Sequence, residues 1–207
     1  MNSLTTTILD FLFPPSEASL GLRRISPAQL DLKLPRASLP LYPFITSLFA
    51  YKHPLTHELI QSIKNKKDAH AFECAGYALY KKLLEKGISH ATLIPIPLSK
   101  KRLKERGYNQ CELLIEEILK LDTEKRFTGD SSLLVRTKHT SEQKLKNREE
   151  RLAGTDSIFE IATNSISKDT PLILIDDVAT TGSTLKTARD ILISSGFTDV
   201  RALTVAH

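Results

Sequence analysis

The chain has 207 residues, 41% hydrophobic and 26% charged. That size suits one core and is too small for two independent cores of ordinary size, and the composition excludes a wholly disordered chain, a collagen and a low-complexity polymer. Lysine and arginine total 29 against 24 acidic residues, a net charge of +5, and two short stretches hold the excess. Residues 99 to 106 carry +4, residues 136 to 151 carry +3, and the remainder carries −2. Such concentrated positive charge suits a polyanion, either a nucleic acid or a small phosphorylated compound. No run approaches eighteen apolar residues. The apolar patch from Ile8 to Phe13 is broken by Asp10 and has no lysine or arginine before it, so neither membrane insertion nor a signal peptide is expected, and the expected location is cytoplasmic. Cys74 and Cys111 are the two cysteines and no CxxC occurs, which excludes a disulfide scaffold and a four-cysteine zinc ribbon. Both read as core thiols.

Seven of the ten prolines fall within the first 54 residues, which predicts an irregular leader, with the compact fold starting near Ile45. Leu55, Leu59, Ile60 and Ile63 then share a helical face, and Ala69 to about Glu85 repeats the pattern through Phe72, Ala75, Leu79 and Leu83 before Gly87 closes it. Ala91 to Ile96 reads as a short buried strand, the first basic stretch as a loop, and Gln110 to Leu121 as an amphipathic helix. Strands are predicted at Ser131 to Val135 and Ser157 to Ala162, on either side of a long polar connection. Pro171 to Ile175 is a further strand, Thr184 to Ser195 a helix ended by Gly196, and Val200 to Val205 the last strand. The alternation predicts an α/β protein with a mostly parallel sheet flanked by helices. His53 and His57 have metal-ligand spacing, but Pro54 lies between them and no third ligand is evident. Tyr77 and Tyr80 sit at helical spacing without interleaved cations, so they read as core and not as a base-stacking platform.

The segment Leu172-Ile173-Leu174-Ile175-Asp176-Asp177-Val178-Ala179-Thr180-Thr181-Gly182-Ser183-Thr184-Leu185 carries the most chemistry. A buried strand delivers two carboxylates to the carboxyl edge of a parallel sheet, where open α/β sheets place their ligands. The turn that follows opens a helix, so unpaired backbone N–H groups and the positive end of the helix dipole converge on one spot that suits phosphate. Gly182 permits close backbone approach, and the hydroxyls of Thr180, Thr181, Ser183 and Thr184 add donors. The two aspartates fit a ligand that brings sugar hydroxyls or a divalent cation. The competing interpretation makes Asp176 and Asp177 a turn and the Thr/Ser run a helix cap. No GxGxxG and no GxxxxGK[ST] is present, which removes the dinucleotide-binding and P-loop classes.

Residues 172 to 185 resemble the phosphoribosyl pyrophosphate (PRPP) motif of type I phosphoribosyltransferases. The segment Ile94-Pro95-Ile96-Pro97-Leu98, followed by Arg102 and by Arg106-Gly107-Tyr108-Asn109-Gln110, resembles the ComF family, the competence-associated branch of that fold. Arg136 with Thr140-Ser141-Glu142-Gln143, and Arg151 ahead of Phe159, add to the likeness, which spans roughly residues 48 to 206. Members often begin with a cysteine zinc ribbon; here no cysteine precedes Cys74, and no zinc is expected.

The resemblance implies a type I phosphoribosyltransferase fold over residues 48–207, preceded by a leader or hood over 1–47. It implies that Asp176 and Asp177 hold the ribose and that Thr180, Thr181, Gly182, Ser183 and Thr184 hold its phosphate. Lys100, Lys101, Arg102, Lys104 and Arg106 would lie beside the pyrophosphate, with Tyr108, Asn109 and Gln110 starting the helix that orients them. Residues 136 to 151 would form a closing loop, with Arg136 at its root and His139, Gln143 and Arg151 as contacts. Cations placed at a departing pyrophosphate act chiefly in the transition state. The implied ligand is PRPP with Mg²⁺, the ion held mainly by ligand oxygens and water near Asp176 and Asp177. Three roles follow: transfer of a phosphoribosyl group to a nitrogen acceptor that the sequence does not specify, PRPP sensing without turnover, or a DNA-uptake accessory that binds single strands or other competence proteins.

Overall fold

A computed structural model of the chain describes residues 16–38, 42–137, 158–162 and 166–207. Two short helices come first, α1 (Glu17–Arg24) and α2 (Pro27–Lys33), within the leader expected to be irregular. The prolines there punctuate helices without preventing them. Pro27 occupies the first turn of α2, where its missing N–H costs nothing, behind a capping box formed by Ser26 and Gln29. Ser16 caps α1 by accepting from Ser19 N at 3.1 Å. Leu22, Leu30 and Leu34 join the main core cluster, and the buried Asp31 carboxylate ties α2 onward through Arg36 at 2.8 Å and Lys81 at 2.7 Å.

Next come β1 (Ile45–Phe49), which spans both sides of the boundary expected between 47 and 48, then α3 (Pro54–Gln61) and α4 (Ala69–Glu85). Five residues of π-helix, Ser62–Lys66, continue α3 and end at Lys67 with φ 48°. The remaining elements are β2 (Ala91–Pro95), α5 (Lys100–Arg106), α6 (Gln110–Leu121), β3 (Phe127–Gly129), β4 (Leu134–Arg136), β5 (Phe159–Ile161), β6 (Leu172–Val178), α7 (Ser183–Ser194) and β7 (Val200–Ala206). The basic segment expected as a loop thus contains a helix, capped by Ser99 and ended by Gly107 at φ 76°. The strand expected from Ser131 begins instead at Leu134, because Asp130 Oδ1 accepts from Ser132 N and Leu133 N and holds those residues in a turn.

The main sheet has the order β1-β7-β6-β2-β3 and every pair in it is parallel; β4 and β5 form a separate antiparallel pair. The fold is therefore α/β, with a mostly parallel sheet between helices, as the alternation predicts. Side-chain alternation along β6 serves both faces. Ile173 and Ile175 pack with Leu79, Leu83, Leu114 and Ile118 of α4 and α6. Leu172 and Leu174 pack with Leu185, Ala188 and Leu192 of α7 and with Phe159. Gly76 lets α4 meet α6, since a Cβ there would lie 2.4 Å from Glu117 Cβ.

This topology fixes where a ligand site can form. After β2 the chain crosses through α6 to β3 on one side; after β6 it crosses through α7 to β7 on the other. The strand order reverses between β2 and β6, and the crevice at their carboxyl ends is the switch point where doubly wound sheets bind ligands. Pro95 pairs with Ile175, so Asp176 emerges beside the end of β2.

Candidate functional site

A cleft of about 530 Å³ opens at this switch point, lined among others by Ser99, Arg102, Arg106, Gln110, Arg136, Asp176, Asp177, Thr180 and Thr184. The helix α5 explains which of its cations arrive there. Arg102 and Arg106 are four residues apart and share a face. Lys100, Lys101 and Lys104 lie on exposed positions and do not line the cleft; Lys101 pairs along the helix with Glu105 at 3.9 Å. Arg136, at the end of β4, faces Arg102. Burial, and then that neighbouring charge, pull the Arg136 guanidinium below the usual arginine range.

The acidic pair sits at the floor. Asp176 is pushed up to about 7, first by burial and then by the charge of Asp177; the amide of Asp177 and the Cys111 thiol, which donates to Asp176 Oδ1 at 3.6 Å, act in the opposite direction. Asp177 is also raised by burial, offset by Lys64 and Arg106. Its Oδ1 lies 3.4 Å from Lys64 Nζ, and its buried Oδ2 has no hydrogen-bond partner. Such an oxygen is costly to leave unpaired and calls for a donor or a cation.

The stretch from Arg106 to Cys111 secures the cleft residue by residue. Arg106 donates to Gln110 Oε1 at 2.8 Å, which fixes the guanidinium. Gly107 terminates α5, and Asn109 caps α6 while donating to Ile96 O at 3.3 Å, next to the end of β2. Tyr108 donates to Ile63 O at 2.7 Å, clamping the π-turn that carries Lys64. Cys111 is buried, as a core thiol should be, yet it is also the donor to Asp176. Burial and the two carboxylates drive its own ionisation well above the ordinary range, so it remains a donor.

The Thr-Thr-Gly-Ser-Thr loop follows β6. Gly182 stands at the N-cap of α7 with φ 71° and has no side chain to cap it; the first helical N–H, that of Ser183, donates to Thr181 Oγ1 at 3.4 Å. Thr181 Oγ1 also pairs with Ser183 Oγ at 3.0 Å. Thr181, Gly182 and Ser183 line a small hollow that shares Asp176, Val178, Thr180 and Thr184 with the cleft. A Cβ on Gly182 would lie 3.0 Å from Ile45 Cδ1 and from the ring of Tyr42. The close approach that demands glycine is therefore to these side chains. Lys64 and Tyr51 line the cleft without having been singled out in the sequence. His139, Gln143 and Arg151 lie outside the described residues. Among the described residues, no three or more His, Cys, Asp or Glu side chains gather to hold a metal, and no helix is long and apolar enough to cross a membrane.

A second hollow, of about 410 Å³, lies at the opposite ends of the strands. Two of its cations are already engaged: Arg201 pairs with Asp199 at 2.7 Å, and Arg189 donates to Val200 O while lying 4.8 Å from the Phe44 ring centroid. The chemistry concentrates at the first cleft.

Fold and site together define an α/β protein with an acidic pair and a Thr/Gly/Ser loop at the switch point of a parallel sheet. Solved structures similar to it include adenine phosphoribosyltransferase from Leishmania tarentolae (13% identity, 81% of this chain and 93% of that chain, TM-score 0.46). Another is a hypoxanthine phosphoribosyltransferase from Staphylococcus aureus (17% identity, 71% and 62%, TM-score 0.37). No family model matches the chain. Curated relatives are competence protein ComFC of Bacillus subtilis, 39% identical over 107 residues, ComFC of Streptococcus pneumoniae, 34% over 118, and competence protein F of Haemophilus influenzae, 30% over 119. These bear out the resemblance to the ComF family. The matches cover 52 to 56% of this chain and 40 to 49% of the relatives' own lengths, so the chain spans about half of the proteins it matches.

Proposed function

We propose that the cleft binds PRPP and that the protein transfers its phosphoribosyl group to a nitrogen acceptor, releasing pyrophosphate. The observation that carries this reading is the Asp176 and Asp177 pair beside the Thr-Gly-Ser loop that opens α7, with arginines Arg102, Arg106 and Arg136 across the same cleft. The loop suits a monophosphate, through backbone N–H groups and the hydroxyls of Thr180 and Thr184. The carboxylates suit the ribose hydroxyls, and Asp177 Oδ2 is an acceptor without a partner.

The arginines suit the pyrophosphate. As the bond to the ribose breaks, negative charge grows on the leaving group, so fixed guanidiniums stabilise the transition state more than the ground state. Arg106 is pre-oriented by Gln110, which lowers the reorganisation needed at that moment. The ring carbon becomes cationic as pyrophosphate departs, and an ionised Asp176 or Asp177 below it offers complementary charge. The site also fits Mg²⁺ brought with the ligand: a carboxylate oxygen is unpaired, and ligand oxygens and water would supply the remaining donors. When bound, the ion would neutralise pyrophosphate charge.

The test is pyrophosphate release from PRPP with Mg²⁺ over a panel of nucleobases and amines. Release that depends on both the acceptor and Asp177 supports transfer. PRPP binding without release would leave a sensor. The likeness to competence proteins favours a second reading, a DNA-uptake accessory that uses the basic face of α5. Single-strand affinity that falls steeply with salt and ignores Asp177 would favour it over transfer.

A further inference from the structure

Lys64 belongs to neither basic stretch that the charge pattern singles out, yet it reaches the cleft. It is carried by the five π-helical residues that extend α3, and this turn ends at Lys67 in the left-handed region. Single-turn π-helical insertions often mark functional sites, because they re-aim side chains that a regular helix would send elsewhere. Two observations fix this turn against the site. Tyr108, in the segment between α5 and α6, donates to Ile63 O at 2.7 Å, and its ring packs on Phe72. Lys64 Nζ lies 3.4 Å from Asp177 Oδ1, with its side chain 23% exposed.

An ammonium has three donors and no acceptor. One faces Asp177 at a loose distance, leaving the others for the cleft that Lys64 lines together with Arg102, Arg106 and Arg136. Four cations and two carboxylates in one cleft leave a net positive charge, which an anionic ligand would balance. The neighbouring Lys66 shows the contrast: on the same turn it pairs with Glu58 and is about half exposed, away from the cleft.

We propose that Lys64 is a ligand-phosphate contact of this cleft, an ammonium anchored on Asp177 and aimed by the turn that Tyr108 clamps. The inference rests on the reading of the cleft as a PRPP site, which it extends to a residue on a third element. Asp177 thereby has two tasks, one oxygen holding the cation and the other free for the ligand.

The experiment measures affinity for PRPP with Mg²⁺, and separately for inorganic pyrophosphate, in wild type, Lys64→Met, Lys64→Arg, Tyr108→Phe and Lys66→Met, with thermal unfolding as the check on folding. Loss of a charge-assisted contact should weaken binding roughly 10- to 100-fold in Lys64→Met. Lys64→Arg should recover most of that loss, Tyr108→Phe should show a smaller loss with the fold intact, and Lys66→Met should bind like wild type. PRPP affinity unchanged in a folded Lys64→Met would overturn the inference and leave the PRPP reading standing. Wild type that binds pyrophosphate in a Lys64-dependent way but not PRPP would keep the phosphate contact and remove the PRPP reading. Binding of neither would overturn both.

Discussion

Replacing Asp176 by asparagine should stabilise the protein at alkaline pH while damaging its site. The carboxyl titrates near 7 where an unfolded chain would titrate near 3.8. Between those values the folded protein holds a proton that the unfolded chain releases. The stabilisation from that proton is complete below about pH 4 and is lost as pH rises through about 7. A shift of three units carries about 4 kcal/mol if fully expressed. Asp176 is only part-buried in accessible area and shares its titration with Asp177, so about half, roughly 2 kcal/mol, is the sounder expectation. Asparagine keeps the shape and cannot ionise, and its nearest donors are the Cys111 thiol and the Asp177 amide. Urea unfolding of wild type and Asp176→Asn at pH 4, 6 and 8 gives the stability difference directly. The variant should match or trail wild type at pH 4 and exceed it by about 2 kcal/mol at pH 8. A stability difference that stays flat with pH, or one in which the variant loses ground to wild type as pH rises, would refute an Asp176 carboxyl raised by burial and by Asp177. A gain in stability on removing a charge would also mark the carboxylate as kept for binding.

Two further outcomes follow from the loop and from α5. Gly182→Val places a β-branched side chain at φ 71° and forces it against Tyr42 and Ile45; chemical denaturation should show a loss of about 2 to 4 kcal/mol, with PRPP binding abolished. Arg102→Gln should weaken PRPP binding much more than ribose 5-phosphate binding, because only PRPP carries the pyrophosphate. Lys101→Gln should change neither, since Lys101 points to solvent beside Glu105; equal losses for the two variants in calorimetry would put the whole helix, not one face, at the ligand.

The strands that carry the site were legible because parallel strands buried on both faces read as continuous apolar runs, as Leu172 to Ile175 and Ala91 to Ile96 do. Their carboxyl ends and the loop after β6 followed from that. The rest was hidden for local reasons. Helix α5 has seven residues, none of them buried, and so offers no apolar stripe to read. Strand β3 is three residues long with Phe127 its one buried side chain, and so presents no apolar run or alternation to read. The helices α1 and α2 are hidden by the density of prolines around them, yet Pro27 and Pro54 stand in first turns where proline is favoured. Lys64 is one of three lysines between 64 and 67, and only the arrival of Asp177 beside it in three dimensions sets it apart. Tyr108, Asn109 and Gln110 read in sequence as a helix start; that they tie down Ile63, Ile96 and Arg106 around the cleft is visible only in the fold.

The central claim, that the switch-point cleft is a PRPP site, is tested most directly by calorimetric titration of the protein with PRPP and Mg²⁺, in parallel with the Asp176→Asn/Asp177→Asn double variant. Saturable one-site binding to wild type is predicted, with unfolding stability raised by about 2.7 kcal/mol at a hundredfold excess over Kd. Affinity in the double variant should be at least about tenfold weaker. No detectable heat and no stabilisation in wild type at millimolar PRPP, or equal affinity in the double variant, would contradict the account.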